Sequence, residues 1–282
     1  MGEHEWFRAP HAPVHRDLTF GNGQHVAVDV SDPAAIHTDP ERNGAIPDRM
    51  TGLLASHAGH GTFISGLLRQ GCPDAEISTL RVMGADGVVP ESELAAAITN
   101  LSVRQHDGGP ASEPGRVDVL VLSLGYYAEI DDAAYTAGLA NQLRWLAGNG
   151  VAIYAAAGND CTEKRCYPAG FADAADFAGL DHRLYAVAAL NPDAVTVAMF
   201  SNDGDWVTGR AVGANLVSTM PSFPPAAYQP TLRVTGPGGA IRASIDADDY
   251  GGGFGVWSGT SFAAPVLAAR HLARLADPDK AK

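Results

Sequence analysis

Residues 118–157 read DVLVLSLGYYAEIDDAAYTAGLANQLRWLAGNGVAIYAAA. Two runs in this stretch, 118–124 and 151–157, are apolar at successive positions and not at alternate ones. A strand with one wet face alternates, whereas a strand covered on both faces stays apolar throughout. Between the runs, residues 132–149 have helical spacing and close at Gly150, a residue suited to the turn that ends a helix. Strand, helix and strand in succession form the repeating unit of a parallel sheet, because parallel neighbours need a long crossover.

The same pattern extends in both directions. Residues 24–30 (QHVAVDV), 76–82 (EISTLRV), 183–190 and 212–220 read as further strands, and 91–101 reads as a helix that starts near Pro90 or Ser92. Alanine-rich helices alternate with apolar strands. The expected class is therefore α/β: three layers, doubly wound, with a mostly parallel central sheet and helices on both faces. The expected organisation is an N-terminal arm over 1–22 and a single domain over 23–282. Residues 221–249 are rich in Pro, Gly and Asp and read as an inserted loop or hairpin.

Composition narrows the function. The chain has 282 residues, a net charge of -13 and 18% charged residues. That balance argues against nucleic acid, whose phosphates call for clustered Lys and Arg. No apolar stretch approaches the roughly 18 residues of a membrane span, so no membrane partner is expected. The first residues, MGEHEWFRAPHAPVHRD, contain no apolar core of a signal peptide. Trp6 stands where a myristoylated chain would carry Ser or Thr. The protein is expected in the cytoplasm if Met1 is native, and outside the cell if a leader is missing from this chain. Cys72, Cys161 and Cys166 are too few for a disulfide framework. Cys161 and Cys166 are close enough in sequence to pair or to remain two free thiols. No His or further Cys adjoins them at metal-ligand spacing.

In open parallel sheets reactive groups collect beyond the carboxyl ends of the strands. Asp29 ends the strand over 24–30, His60 opens an apolar run soon after it, Asn159 follows the strand over 151–157, and Ser261 precedes a long alanine-rich helix. Singly, each has an ordinary reading as a turn former, a loop residue or a helix cap. Together, in this order and on these elements, they form a pattern. HGTFISG at 60–66, AAAGN at 155–159 and SGTSFAAP at 258–265 resemble the His, oxyanion-Asn and Ser motifs of the subtilase family of serine peptidases. VLSLGY at 121–126 is similar to that family's substrate-binding strand. The similarity runs from about Gly23 to Leu275.

The resemblance implies a serine endopeptidase that works through an acyl-enzyme. Ser261 would be the nucleophile, His60 its base and later the acid, and Asp29 the group that orients the imidazole. Asn159 and the Ser261 N–H would hold the oxyanion. Ser123, Leu124, Gly125, Ala157, Gly158 and Cys166 would bind substrate, with Cys166 at the pocket for the side chain before the scissile bond. Asp160 and Glu163 are near enough either to favour a basic side chain there or, as such acids more often are, to be simply solvated. Pro265 is expected early in its helix, where amides are unpaired. Partners would be peptide or protein substrates, and a dedicated precursor-processing role fits a chain without a leader. No cofactor is required. Structural calcium would draw on Asp39, Glu41 and the acids at 246–249, although none shows calcium-loop spacing.

Two features depart from the family pattern. Asp29 is followed by Val30 and Ser31 in place of Ser or Thr and then Gly, which leaves Asp32 as a rival for the third position. Phe63 stands where many relatives have a second His. The altered Asp motif leaves open a peptide-binding pseudoprotease. Access of water to the acyl-enzyme leaves open a ligase or cyclase.

Overall fold

The computed structural model describes residues 5–7, 14–16, 54–84, 86–108, 115–129, 132–180, 184–221, 233–243, 250 and 252–276. In chain order the elements are β1 (Val14–Arg16), α1 (His60–Gly71), β2 (Ile77–Thr79), α2 (Glu91–Asp107), β3 (Val119–Leu122), α3 (Ala133–Gly148), β4 (Ala152–Ala156), α4 (Ala175–Ala178), β5 (Leu184–Leu190), β6 (Gly209–Val212), β7 (Leu216–Thr219), β8 (Arg233–Thr235), β9 (Ile241–Ala243), β10 (Phe254–Trp257) and α5 (Thr260–Ala276). Single 3-10 turns lie at Glu5–Phe7, Ala169–Phe171 and Pro237–Gly239.

Strands β3, β4, β5 and β6 form one parallel sheet in that order. The unbroken apolar runs are explained by its two covered faces. From β4 and β5, Ile153, Ala155, Leu184, Ala186 and Ala188 point into a core with Leu94, Ile98 and Leu101 of α2 and Leu139, Leu143 and Leu146 of α3. Their alternate neighbours Ala152, Tyr154, Val187 and Ala189 point into a second core with Ala263, Ala264 and Ala268 of α5. Period-two alternation is present in the geometry; the sequence conceals it because both sets are apolar. The α/β class with helices on both faces is thereby realised.

The run over 212–220, read as one strand, is two. The chain leaves the parallel sheet after Val212, turns at Asn215 (φ 54), and re-enters as β7 to pair antiparallel with β10. Gly213 is forced by contact: a Cβ there would lie 2.7 Å from the Ala189 Cβ and 2.8 Å from the Gly259 carbonyl oxygen. The turn is stitched to the segment just before α5, since Gly259 N–H donates to Gly213 O (2.8 Å) and Asn215 N–H donates to Ser258 Oγ (2.9 Å). A third core of Leu54, Ala58, Phe63, Leu67, Met220 and Phe262 fills the space between α1, β7 and α5.

Within the segment read as an insertion, β8 and β9 form an antiparallel hairpin. In the arm, Val14–Arg16 pairs in parallel with Ile77–Thr79, and Trp6 sets its ring edge-on to Phe254 at 5.0 Å. The run 24–30 lies outside the described residues, as do Asp29 and Asp32. So do Asp39, Glu41 and the acids at 246–249. Among the described residues, no helix is long and apolar enough to cross a membrane, and no group of three or more His, Cys, Asp or Glu could hold a metal ion.

Candidate active site

Three helix and strand ends converge on one turn. Ser261 is the second residue of α5, directly after the Ser258–Gly259 corner that the Gly213 turn holds in place. Helix starts expose unpaired amides with a partial positive charge, so a group here faces a field that favours a developing anion. Asn159 reaches this turn from the end of β4. Its Oδ1 accepts hydrogen bonds from Thr260 N–H (2.8 Å) and from the Thr260 hydroxyl (3.0 Å). Gly158 N–H donates back to Thr260 Oγ1 at 3.1 Å. With Oδ1 taken up in this way, the carboxamide is fixed, and Nδ2 lies 3.6 Å from where a Cβ on Gly259 would sit.

Pro265 sits deeper than its expected place among unpaired amides: it is the sixth residue of α5. A residue there would normally donate its N–H to the carbonyl four residues earlier, which is Ser261 O. Proline has no N–H to give. The freed carbonyl is claimed by the Ser123 hydroxyl, which donates to Ser261 O at 2.7 Å. The helix breaker inside α5 therefore permits a direct tie between the residue after β3 and the backbone of Ser261.

His60 is the first residue of α1. Its ring packs against Phe262 (5.3 Å between centroids), Trp257 (5.7 Å) and His57 (5.5 Å). Phe262 follows Ser261 in α5, so the imidazole lies against the first turn of the helix that carries the serine. Among the described residues no hydrogen bond joins the His60 ring to the Ser261 hydroxyl. Burial, and then the charge of His57, lower the His60 pKa to about 4. The ring is therefore neutral at pH 7, the form that can take a proton.

The expected substrate-binding residues also assemble. Tyr126 N–H donates to Tyr167 O and Tyr167 N–H donates to Tyr126 O, both at 2.8 Å, an isolated bridge that ties the segment after β3 to the 166–168 segment. β3 itself ends at Leu122, short of the expected strand end at residue 124. A Cβ on Gly125 would meet Cys166 Sγ at 2.6 Å, and one on Gly158 (φ 107) would meet the Cys166 Cβ at 3.4 Å. Cys166 thus lies against both glycines. It is a free thiol, buried, with its pKa pushed up to about 11 by burial and by Asp160. Cys161 is free and exposed. Asp160, one candidate for a basic preference, is already engaged: the Tyr127 hydroxyl donates to its Oδ2 at 2.5 Å.

Sequence reasoning passed over Thr260, His57, Tyr127 and Asn202. Thr260 lies inside the quoted Ser motif, and its side-chain role could have been read from that place. His57 lies within reach of His60 at one-turn spacing. Asn202 lies in an SNDG stretch that looks like any polar turn, and nothing in the sequence marks it as fully buried.

Comparison with known proteins points one way. Residues 32–279 match the model of the subtilase family, Peptidase_S8. The match begins at Asp32, three residues after Asp29. A subtilisin from Bacillus sp. (strain TA39) is 28% identical over 223 residues, covering 74% of this chain and 44% of that relative. The chain thus spans less than half of that relative's length. The solved structure of a cold adapted subtilisin-like serine proteinase superposes with a TM-score of 0.58 at 17% identity, over 98% of this chain and 71% of its own. A lanthipeptide protease superposes with a TM-score of 0.51 at 19% identity, over 77% of this chain and 60% of its own. The shared fold and the length of the family match give one conclusion: this chain belongs to the subtilase family.

Proposed function

We propose that the chain is a serine endopeptidase that cuts peptide or protein substrates through an acyl-enzyme. Ser261 Oγ attacks the scissile carbonyl carbon while His60 accepts the hydroxyl proton. His60 then protonates the leaving amine, and water releases the acid. Asp29 is the proposed third member that orients His60. Asn159 Nδ2 and the Ser261 N–H are the proposed oxyanion donors. Ser123, Leu124 and Gly125 would pair with the substrate as an added strand, and Ala157, Gly158 and Cys166 would bound the pocket for the residue before the cut. In its narrower form the reading is a dedicated processor of one precursor peptide, recognised by a few defined products.

The observation that carries the reading is the lock between Asn159 and Thr260. It fixes a side-chain amide beside the serine at a helix start, with its acceptor end consumed and its donor end left for a ligand. The test is intact-protein mass after exposure to a fluorophosphonate. A single adduct is expected on the wild type and none on Ser261→Ala or His60→Ala. Asp29→Asn is expected to slow labelling and Asp32→Asn to leave it unchanged. A folded wild type that takes no label would overturn the reading.

A further inference from the structure

Asn202 follows Ser201 in the loop between β5 and β6 and is completely buried. Its carboxamide has two N–H donors and an oxygen with two lone pairs, and the structure occupies all four. Nδ2 donates to Ala157 O (2.9 Å) and to the Tyr127 hydroxyl oxygen (2.8 Å). Oδ1 accepts from Asp160 N–H (2.9 Å) and Thr162 N–H (3.3 Å). The Asn202 backbone N–H adds a bond to Gly158 O at 2.9 Å.

These bonds bracket a single residue. Positions 157 and 158 precede Asn159; positions 160 and 162 follow it. The fit is close, since a Cβ on Gly158 would lie 2.3 Å from Asn202 Nδ2. The fifth partner, Tyr127, belongs to the other wall of the proposed substrate cleft, two residues beyond Gly125, and its hydroxyl donates to Asp160 as well. A buried amide is costly unless fully paired, and an apolar side chain would fill the space without that cost. Here every polar atom of the Asn202 carboxamide holds the backbone on either side of the oxyanion candidate, or the Tyr127 hydroxyl opposite.

We propose that Asn202 is a positioning residue: it sets the backbone on which the Asn159 carboxamide is carried, and couples that donor to the wall at Tyr127. The role rests on the serine-peptidase reading. Its signature is that Asn202 matters to the chemistry only through Asn159.

A double-mutant cycle reads that signature, with the rate of fluorophosphonate labelling as the measured quantity. In labelling, the Ser261 Oγ–phosphorus bond forms, the phosphorus–fluorine bond breaks, fluoride leaves and the hydroxyl proton passes to His60. The phosphoryl oxygen takes the place of the oxyanion. Asn202→Ala is expected to slow labelling about 10-fold or more, a cost in line with small misplacements of a catalytic group. In an Asn159→Ala background the same substitution is expected to slow it less than about 2-fold, because the donor being positioned is gone. Its effect on the melting temperature should be equal in both backgrounds. Equal slowing in both would overturn the role and reduce Asn202 to a structural residue. If Asn202→Ala does not fold, Tyr127→Phe carries the test. It removes one linked hydroxyl and should slow labelling about 3-fold, again only when Asn159 is present. Equal slowing by Tyr127→Phe in both backgrounds would overturn the role in the same way. A wild type that takes no label would overturn the peptidase reading and this role together. A labelled wild type with additive rates would overturn this role alone.

Discussion

Asn159 offers the sharpest expectation at the scale of one residue. It is a proposed oxyanion donor, so its replacement by Ala should lower kcat by roughly 10²–10³ with little change in KM, the loss that removal of one such donor causes in subtilisin. His60 offers a pH signature. Its folded-state pKa is about 4, below the ordinary 6.5. Between those values the unfolded chain binds a proton that the folded one refuses, so stability rises with pH across this window and falls on acidification. The acid limb of fluorophosphonate labelling should therefore lie well below pH 6.5. Because the charge of His57 is one cause of the lowering, His57→Asn should move that limb toward higher pH. An unchanged limb would show that His57 does not act on His60. The thiols provide a simpler check. Exposed Cys161 should alkylate first with iodoacetamide, and buried Cys166, whose proton burial holds in place, should follow only on unfolding.

At the scale of elements, α5 is held by an exchange of partners. Ser123→Ala leaves Ser261 O without its donor and should cost about 1 kcal/mol. In a Pro265→Ala background an amide returns to that carbonyl, so the cost of losing Ser123 should shrink; chemical denaturation of the four variants measures this. Gly66→Ala tests the seat of α1 on β7. The added methyl would meet Ser218 Oγ and Thr219 Oγ1 at 2.3 Å, and overpacking of this kind costs about 1–3 kcal/mol. Much at this scale was legible beforehand. Residues 118–124 and 151–157 announced covered strands because their neighbours on both faces are helices, although the first ends at Leu122. The break between β6 and β7 was not legible, since Gly213 and Asn215 interrupt a run whose flanks are equally suited to one strand or two. The contacts that leave no room for a side chain at Gly213, the Ala189 and Ala263 Cβ atoms and the Gly259 carbonyl, come from elements distant in sequence. The site divided in the same way. Ser261, His60 and Asn159 sit in motifs, whereas Asn202 is defined by partners some forty or more residues away.

For the whole molecule, the arm is part of the packing. Phe7 is buried and Trp6 lies on Phe254, one strand ahead of the serine turn. Removing residues 1–7 should lower the melting temperature and expose Phe254, with a rise in fluorescence of an apolar dye as the readout. The ribbon of β7 and β10 has a different consequence. The segment between them leaves and returns at neighbouring points: Thr219 pairs with Phe254, and Met220 N–H donates to Gly253 O at 2.8 Å. A loop whose ends are already clamped costs little more when it is lengthened or shortened. Residues 222–249 can then be regarded as a cassette in a socket. Swapping this stretch for a short Gly-Ser bridge should leave the Ser261 labelling rate intact, and a foreign recognition module seated in the same socket should leave it intact as well.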